Sequence, residues 1–361
     1  MILRTFGWSF AITALGLLAA FLYEGTTALG LVAVLAILEI SLSFDNAVVN
    51  AKVLERMSAF WQRIFLTVGI AIAVFGMRLV FPLAIVAITA NMSPFEALDL
   101  ALNDQEKYAH ALESAYPMIA AFGGMFLLML FLDFVFEEHE YEWLAWLERP
   151  LARIGKLNQL SVVIAGGALA IAGGFFADDP GDVMIAGVLG MVTYILVNGL
   201  GDLFEGAGDV DEDSEDVKRG PNGLAVATGK AAFFLFLYLE VLDASFSFDG
   251  VIGAFAISTN LIIIALGLGI GAMYIRSLTV FLVRKGTLHE YVYLEHGAMW
   301  AIGALAFCML VSIGHHVPEW ITGGLGAGLI IAAFLSSVVR NRNEDGKNQS
   351  SADKELHSSG V

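Results

Sequence analysis

The sequence predicts an all-α polytopic membrane protein, with about ten transmembrane helices and an inverted-topology internal repeat. Three observations predict it. The 361 residues are 58% hydrophobic and only 15% charged, where soluble domains carry roughly 25% charged residues, and the mean hydropathy is +0.75. Several apolar runs reach about 20 residues, the length that crosses a bilayer as a helix, and lipid admits such runs only as helices because every backbone N–H and C=O needs an internal partner. An acid-bearing motif also occurs twice, 204 residues apart.

The first run follows Met1-Ile2-Leu3-Arg4 and is read as a retained span, because Phe21-Leu22-Tyr23-Glu24 offers no small-residue cleavage site. The spans then fall at roughly 5–23, 28–51, 64–89, 117–136, 160–177, 183–200, 230–256, 261–283, 297–313 and 320–339. They organise the chain into an N-terminal span and loop (1–27) and a first repeat half (28–136). A cytoplasmic interfacial segment (137–159), Gly-rich connecting spans (160–200) and an acidic cytoplasmic linker (201–229) follow. A second repeat half (230–339) and a disordered cytoplasmic tail (340–361) complete the chain. Within the first half, Pro94 to Ala115 is polar and reads as a short external helical excursion. Tyr141 to Leu157 sets Trp143, Leu147, Leu151 and Ile154 at helical spacing beside Arg149, Arg153 and Lys156, the pattern of a helix lying flat on the inner surface.

Basic residues set the orientation. Lys52, Arg56 and Arg63 follow span two, and Arg149, Arg153 and Lys156 follow span four. Lys218, Arg219 and Lys230 follow span six, Arg284 and Lys285 span eight, and Arg340 and Arg342 span ten. The alternate loops are nearly free of Lys and Arg. Both termini are therefore expected in the cytoplasm, in a cell membrane of the bacterial inner-membrane kind, with lipid as the surrounding partner. A net charge of -17 argues against nucleic acid, and the single Cys308 allows neither an internal disulfide nor a thiolate metal cage.

The repeat carries the chemistry. Span two contains Leu38-Glu39-Ile40-Ser41-Leu42-Ser43-Phe44-Asp45-Asn46-Ala47-Val48, and span seven contains Leu242-Asp243-Ala244-Ser245-Phe246-Ser247-Phe248-Asp249-Gly250-Val251-Ile252. Glu39 falls on Asp243, Asp45 on Asp249, Ser41 on Ser245 and Ser43 on Ser247. In the following spans Arg78 falls on Arg276, at an offset of 198 residues. An odd number of crossings separates the motif helices, so they are expected to run antiparallel, as in transporters that bind substrate at the midplane between inverted repeats. A carboxylate at a helix centre costs about 2.5–3.5 kcal/mol on insertion scales. Four such acids, with Glu240 as a fifth, point to a cation or proton site, with Arg78 and Arg276 as partners inside the spans. On an ideal helix Glu39 and Asp45 lie about 120° apart. Either the Ser-Phe-Asp stretch unwinds or the two acids serve different sites. The donors are carboxylates, hydroxyls and the Asn46 amide, hard oxygens that suit Mn²⁺, Mg²⁺ or Ca²⁺.

These motifs resemble those of the TerC-like family of integral membrane proteins, associated with tellurium resistance and manganese efflux. That family has an acid followed six residues on by Asp-Asn-Ala, here Glu39 to Ala47, and a second acid followed by Asp and small residues, here Asp243 to Ala254. The Ser-Phe-Asp form of both motifs resembles a distinct branch. Asp249-Gly250 departs from the Asp-Ser of many relatives and removes one hydroxyl. The resemblance implies that Glu39, Asp45, Asn46, Asp243 and Asp249 coordinate the metal; the repeat and the charges within the spans add Ser41, Ser43, Ser245, Ser247, Glu240, Arg78 and Arg276 as supporting residues. It implies Mn²⁺ as a transported substrate moving outward, with no permanently bound cofactor.

No enzymatic activity is expected. Protons are a candidate counter-ion, because carboxylates that hold a divalent cation also hold protons. A sensor or scaffold that binds metal without moving it is the alternative. Gly199-Leu200-Gly201-Asp202 matches the G-x-G-D signature of intramembrane aspartyl proteases, but Tyr-Asp is missing from the preceding span and no Pro-Ala-Leu follows.

Overall fold

The computed structural model describes residues 2–157, 159–206, 227–258, 260–285 and 290–358. Most of the acidic linker, including Asp209 to Asp216, lies outside the described residues. The chain is a bundle of helices: α1 (Ile2–Leu42), α2 (Phe44–Glu55), α3 (Ala59–Ile64), α4 (Phe81–Thr89), α5 (Pro94–Asn103), α6 (Gln105–Phe136) and α7 (Ala145–Gly155). These are followed by α8 (Leu160–Phe175), α9 (Pro180–Gly206), α10 (Gly229–Ile257), α11 (Leu261–Lys285), α12 (Leu294–Ser312) and α13 (Glu319–Ser358). Two π-helical stretches, Phe65–Gly69 and Ile72–Val80, join α3 to α4 in one rod.

Among the described residues, seven helices are long and apolar enough by themselves to cross a membrane. The expected ten differs from this for physical reasons. One qualifying stretch, Thr5–Ile40, has 36 residues, about 54 Å of helix and too long for a single crossing. Its chain direction reverses at Glu24 and at Gly25, whose φ of 70° suits a residue without Cβ. Before the break α1 runs antiparallel to α11: Ser9 bonds Ser277 at 2.7 Å and Asn260 donates to the Tyr23 hydroxyl at 3.2 Å. After it the two run parallel, with Leu35 packed on Gly267 and Glu39 on Gly271. Helix α10 has 29 residues, enough to cross a bilayer, and is a further span of the expected set. Helix α8 has only 16 residues and meets α7 at a 104° bend.

The excursion expected at Pro94 to Ala115 is α5 plus the first turns of α6. A capping box joins Ser93 and Glu96 and starts α5, while Asp104 accepts from the Lys107 amide and starts α6. The tail expected to be disordered instead continues α13 to Ser358. Once an apolar span has nucleated a helix, each added residue need only propagate it, and this tail has no Pro to stop it.

Helix α7 docks through Glu148. Its carboxylate accepts from the Trp300 indole at 2.9 Å and the Trp143 amide at 3.0 Å, and it meets His296 Nδ1 at 3.2 Å. The opposite face exposes Trp146, Arg149, Arg153, Ile154 and Lys156, as a surface-lying helix would. Burial pushes the Glu148 carboxyl up, but the bonds from His296 and Trp300 outweigh it and hold the carboxyl below its ordinary 4.5. A depressed carboxyl stabilises above its unfolded value, and that contribution is lost as pH falls through the folded one. Proteolysis of the 137–159 segment in membranes is therefore expected to rise steeply below about pH 4.5. Glu148→Gln, which weakens hydrogen bonds of roughly 1.5–3 kcal/mol, should raise cleavage at neutral pH and flatten the pH profile.

At the same end of the bundle the starts of α3 and α10 are tied by a short parallel bridge. Ser58 N–H donates to Ala227 O at 3.0 Å, and Ala227 N–H donates to Arg56 O at 2.8 Å. Trp61 then packs between Phe233 and Phe236, with ring centroids at 6.0 and 5.9 Å.

Candidate functional site

The motif helices cross antiparallel. Asn46 Nδ2 donates to Asp243 Oδ1 at 2.7 Å. Seven residues away along each helix, Glu39 Oε2 lies so close to Gly250 that a Cβ there would stand 2.7 Å from it. The offset of 204 residues turns one contact into the other, because Glu39 corresponds to Asp243 and Asn46 to Gly250.

The crossing builds a polar seam. Glu39, Ser43, Asn46 and Asn50 recur at alternating spacings of four and three, and so do Glu240, Asp243, Ser247 and Gly250. This is the a/d spacing with which two helices face each other, yet nearly every seam position is polar. The polar members are each at most 5% exposed. From Glu39 to Asn50 the seam is about 16 Å long, roughly half the hydrocarbon thickness.

The helices yield where the seam needs it. At Ser43 the backbone (φ -100°, ψ 17°) interrupts the rod between α1 and α2. Ser43 stands where an N-cap would, but its hydroxyl donates to Glu39 Oε1 at 3.1 Å instead of capping α2. Of the two alternatives left by the sequence, unwinding is thus confined to one residue in the first motif, while α10 runs unbroken through the second. The π turns of the α3–α4 rod, a winding frequent at functional sites, each present a carbonyl to a guanidinium. Arg78 donates to Ala73 O and Arg276 to Gly69 O at 3.3 Å.

The two arginines take corresponding places. Arg78 is paired directly with Glu39. Arg276 lies 3.5 Å from Asp243 Oδ2 and 3.8 Å from Glu240 Oε1, and 3.8 Å above the Phe65 ring. The first pair is a direct bond, whereas the second is a loose approach. Among the described residues, Glu39 Oε2, Asp243 Oδ2 and both Glu240 oxygens accept no hydrogen bond, and Ser247 Oγ makes none. Burying a polar group without a hydrogen bond costs roughly 2–7 kcal/mol. Among the described residues these oxygens thus keep unused acceptor capacity, with Asp243 Oδ2 and Glu240 Oε1 near Arg276, on a set that formally carries three negative and two positive charges: Glu39, Glu240 and Asp243 against Arg78 and Arg276.

Of the residues singled out from sequence, Glu39, Ser43, Asn46, Glu240, Asp243, Ser247, Arg78 and Arg276 come together here. Ser245 is turned back on its own helix, donating to Val241 O at 3.0 Å. The side chains of Ser41, Asp45, Asp249 and Asp202 lie outside the described ones. Among the described residues, no three of His, Cys, Asp and Glu gather closely enough to hold a metal by themselves. Asp133, near the C-terminal end of α6, accepts from the Tyr194 hydroxyl at 2.7 Å. Sequence reasoning missed Asn50, although continuing the seam spacing from Asn46 by one turn would have found it. It also missed Gly271, which makes room for the Glu39 stem, and the room that Gly69 makes for Glu240.

A sequence profile described as "Protein of unknown function (DUF475)" matches residues 44–344, most of the chain. The chain belongs to the DUF475 family. The family match begins at Phe44, so it takes in α2, both arginines and the whole second motif. A curated relative is the "Uncharacterized membrane protein YceF" of Bacillus subtilis (strain 168), 28% identical over 153 residues. The aligned stretch is 41% of this chain and 56% of that protein, so the chain spans little more than half the length of the relative. No solved structure matches this DUF475 protein. With its apolar helices it is a multi-pass membrane protein.

Gly250→Ala tests the seam directly. Its methyl would stand 2.7 Å from Glu39 Oε2, so the carboxylate must move or the helices must part. An overpacked site of this kind costs about 1–3 kcal/mol. Melting in detergent should fall by that amount, and any activity that needs Glu39 should fall more than tenfold.

Proposed function

We propose that this DUF475 protein is a secondary transporter of a divalent cation, Mn²⁺ before Mg²⁺ or Ca²⁺. The cation moves outward through the seam between α1–α2 and α10, in exchange for protons. The observation that supports this reading is the set of buried carboxylate oxygens, without hydrogen bonds among the described residues, that two oppositely running helices bring together. Such groups face cavities or pathways by default. The resemblance of both motifs to those of TerC-like proteins supports Mn²⁺ and the outward direction. It also supports Asp45 and Asp249 as ligands with Glu39, Asn46 and Asp243, and both termini in the cytoplasm follow from the placement of the basic residues.

Chemistry supports the exchange. Moving a doubly charged ion out against 100 mV, inside negative, costs about 4.6 kcal/mol at 2.3 per charge. Inward movement of two protons cancels that charge. Hard oxygens and retained water are the usual shell of these ions, so three clustered acids are not required to hold one in transit. The direct Glu39–Arg78 pair favours a second reading, a metal-binding sensor or scaffold in which the acids stay fixed.

Proteoliposomes decide between them. Mn²⁺-driven proton flux is expected in the native protein, and Asp45→Asn or Asp249→Asn should lower it at least tenfold. Flux equal to the native rate in both variants would reject the assignment, and Mn²⁺ binding with no flux in the native protein would favour the sensor.

A further inference from the structure

The duplicated motif does not account for every polar group of the seam. Asn50 is fully buried, and among the described residues neither its Oδ1 nor its Nδ2 has a hydrogen-bond partner. An amide without partners is unfavourable inside a protein, and an apolar side chain of similar size would avoid that penalty. Asparagine is no better a helix former than the leucine that would fill the same space. The residue therefore has a use that neither packing nor helix propensity explains.

Its place suggests the use. Starting from the Asn46–Asp243 bond, one turn along α2 leads to Asn50, and one turn along α10 in the same direction leads to Glu240. Both Glu240 oxygens lack a hydrogen bond among the described residues. Gly69 keeps the flank of Glu240 open, since a Cβ there would stand 2.6 Å from Oε1. This end of the seam leads toward Lys52 and Arg56. Neither residue is duplicated: Asn50 corresponds to Ala254 and Glu240 to Ala36. The feature occurs once, on one side of the crossing, beside the duplicated acids Glu39 and Asp243.

We infer that Asn50, with Glu240 across the seam, forms a second position for a divalent cation, one turn from the duplicated acids. Its role as a waypoint rests on the transporter reading, but its ability to bind does not. The amide oxygen and the carboxylate are hard donors, and water completes the shell of a partly hydrated ion. Arg276, 3.8 Å from Glu240, shares the carboxylate, which makes this position weaker than the first and easy to leave.

The test is calorimetric titration of the full chain in nanodiscs with Mn²⁺. The native protein should show two classes of binding, one tight and one weak. Asn50→Leu should keep the tight class, lose the weak one, and melt no lower than the native protein because an unsatisfied amide is gone. Asn50→Asp should tighten the weak class at least tenfold. One class in the native protein, or two classes unchanged in Asn50→Leu, overturns the inference. So does a lower melting temperature of Asn50→Leu with both classes intact, which would make Asn50 structural. Vesicle flux separates this from the transporter reading: two classes without flux retire transport and leave the second position standing, and flux with one class does the reverse.

Discussion

Replacing Arg78 with methionine is expected to cost about 3–5 kcal/mol of stability, the usual effect of removing one partner from a buried ion pair. The guanidinium is 3% exposed and bonds both Glu39 and the Ala73 carbonyl. Methionine fills much of the same space, so the loss is mainly that of charge compensation. Glu39 would be left ionised in a dry site, or would take up a proton. The double variant Glu39→Gln with Arg78→Met removes both charges and should recover most of the loss, since well-packed neutral replacements of buried pairs are often neutral or stabilising. Thermal melting of the four proteins in one detergent gives the coupling by a double-mutant cycle. Additive losses would mean that the two side chains do not act as a pair. If the protein transports a divalent cation as proposed, the recovered double variant should still fail to move it, because glutamine keeps one oxygen but not the negative charge.

The second large effect is expected at Gly190. A Cβ there would stand 3.0 Å from the Phe122 carbonyl carbon and 3.1 Å from its Cα. Both are backbone atoms of α6, which cannot swing aside as a side chain would. Gly190→Ala should therefore force α6 and α9 apart and cost upwards of roughly 1–3 kcal/mol, read as a fall in melting temperature or failure to accumulate in membranes. Gly166 and Gly167 supply the control, because an added Cβ at either meets nothing within 4 Å. Alanine at those two positions should be neutral or gain up to about 1 kcal/mol from helix propensity. Equal losses at all three positions would show that close α6–α9 approach is not what Gly190 provides.

Those glycines mark a limit of sequence reasoning. The Gly-rich composition of α8 and α9 predicts close packing, but which glycine meets backbone and which meets open space depends on how the helices are rotated. Hydropathy placed the helices well because lipid penalises any unsatisfied backbone. The acid-on-acid offset of 204 singled out Glu39 and Asp243, and a second offset of 198 singled out Arg78 and Arg276 as their partners. Three features were hidden. The π turns that aim both arginines leave no mark in the hydrophobic pattern of Phe65 to Val80. The helical tail after Arg340 has the polar composition of disorder, and only its attachment to a span makes it helical. Asn50 was passed over because the repeat directed attention to duplicated residues, and its counterpart is Ala254.

The bridge between Met57 and Ala227 has a mechanical consequence. It staples the entry turns of α3 and α10 through two backbone bonds of 2.8 and 3.0 Å. Sliding these helices past each other would break both bonds at once, whereas swivelling about the staple strains neither. Displacement then grows with distance from that edge, like the leaves of a book along its spine, and the far ends of the two helices travel furthest.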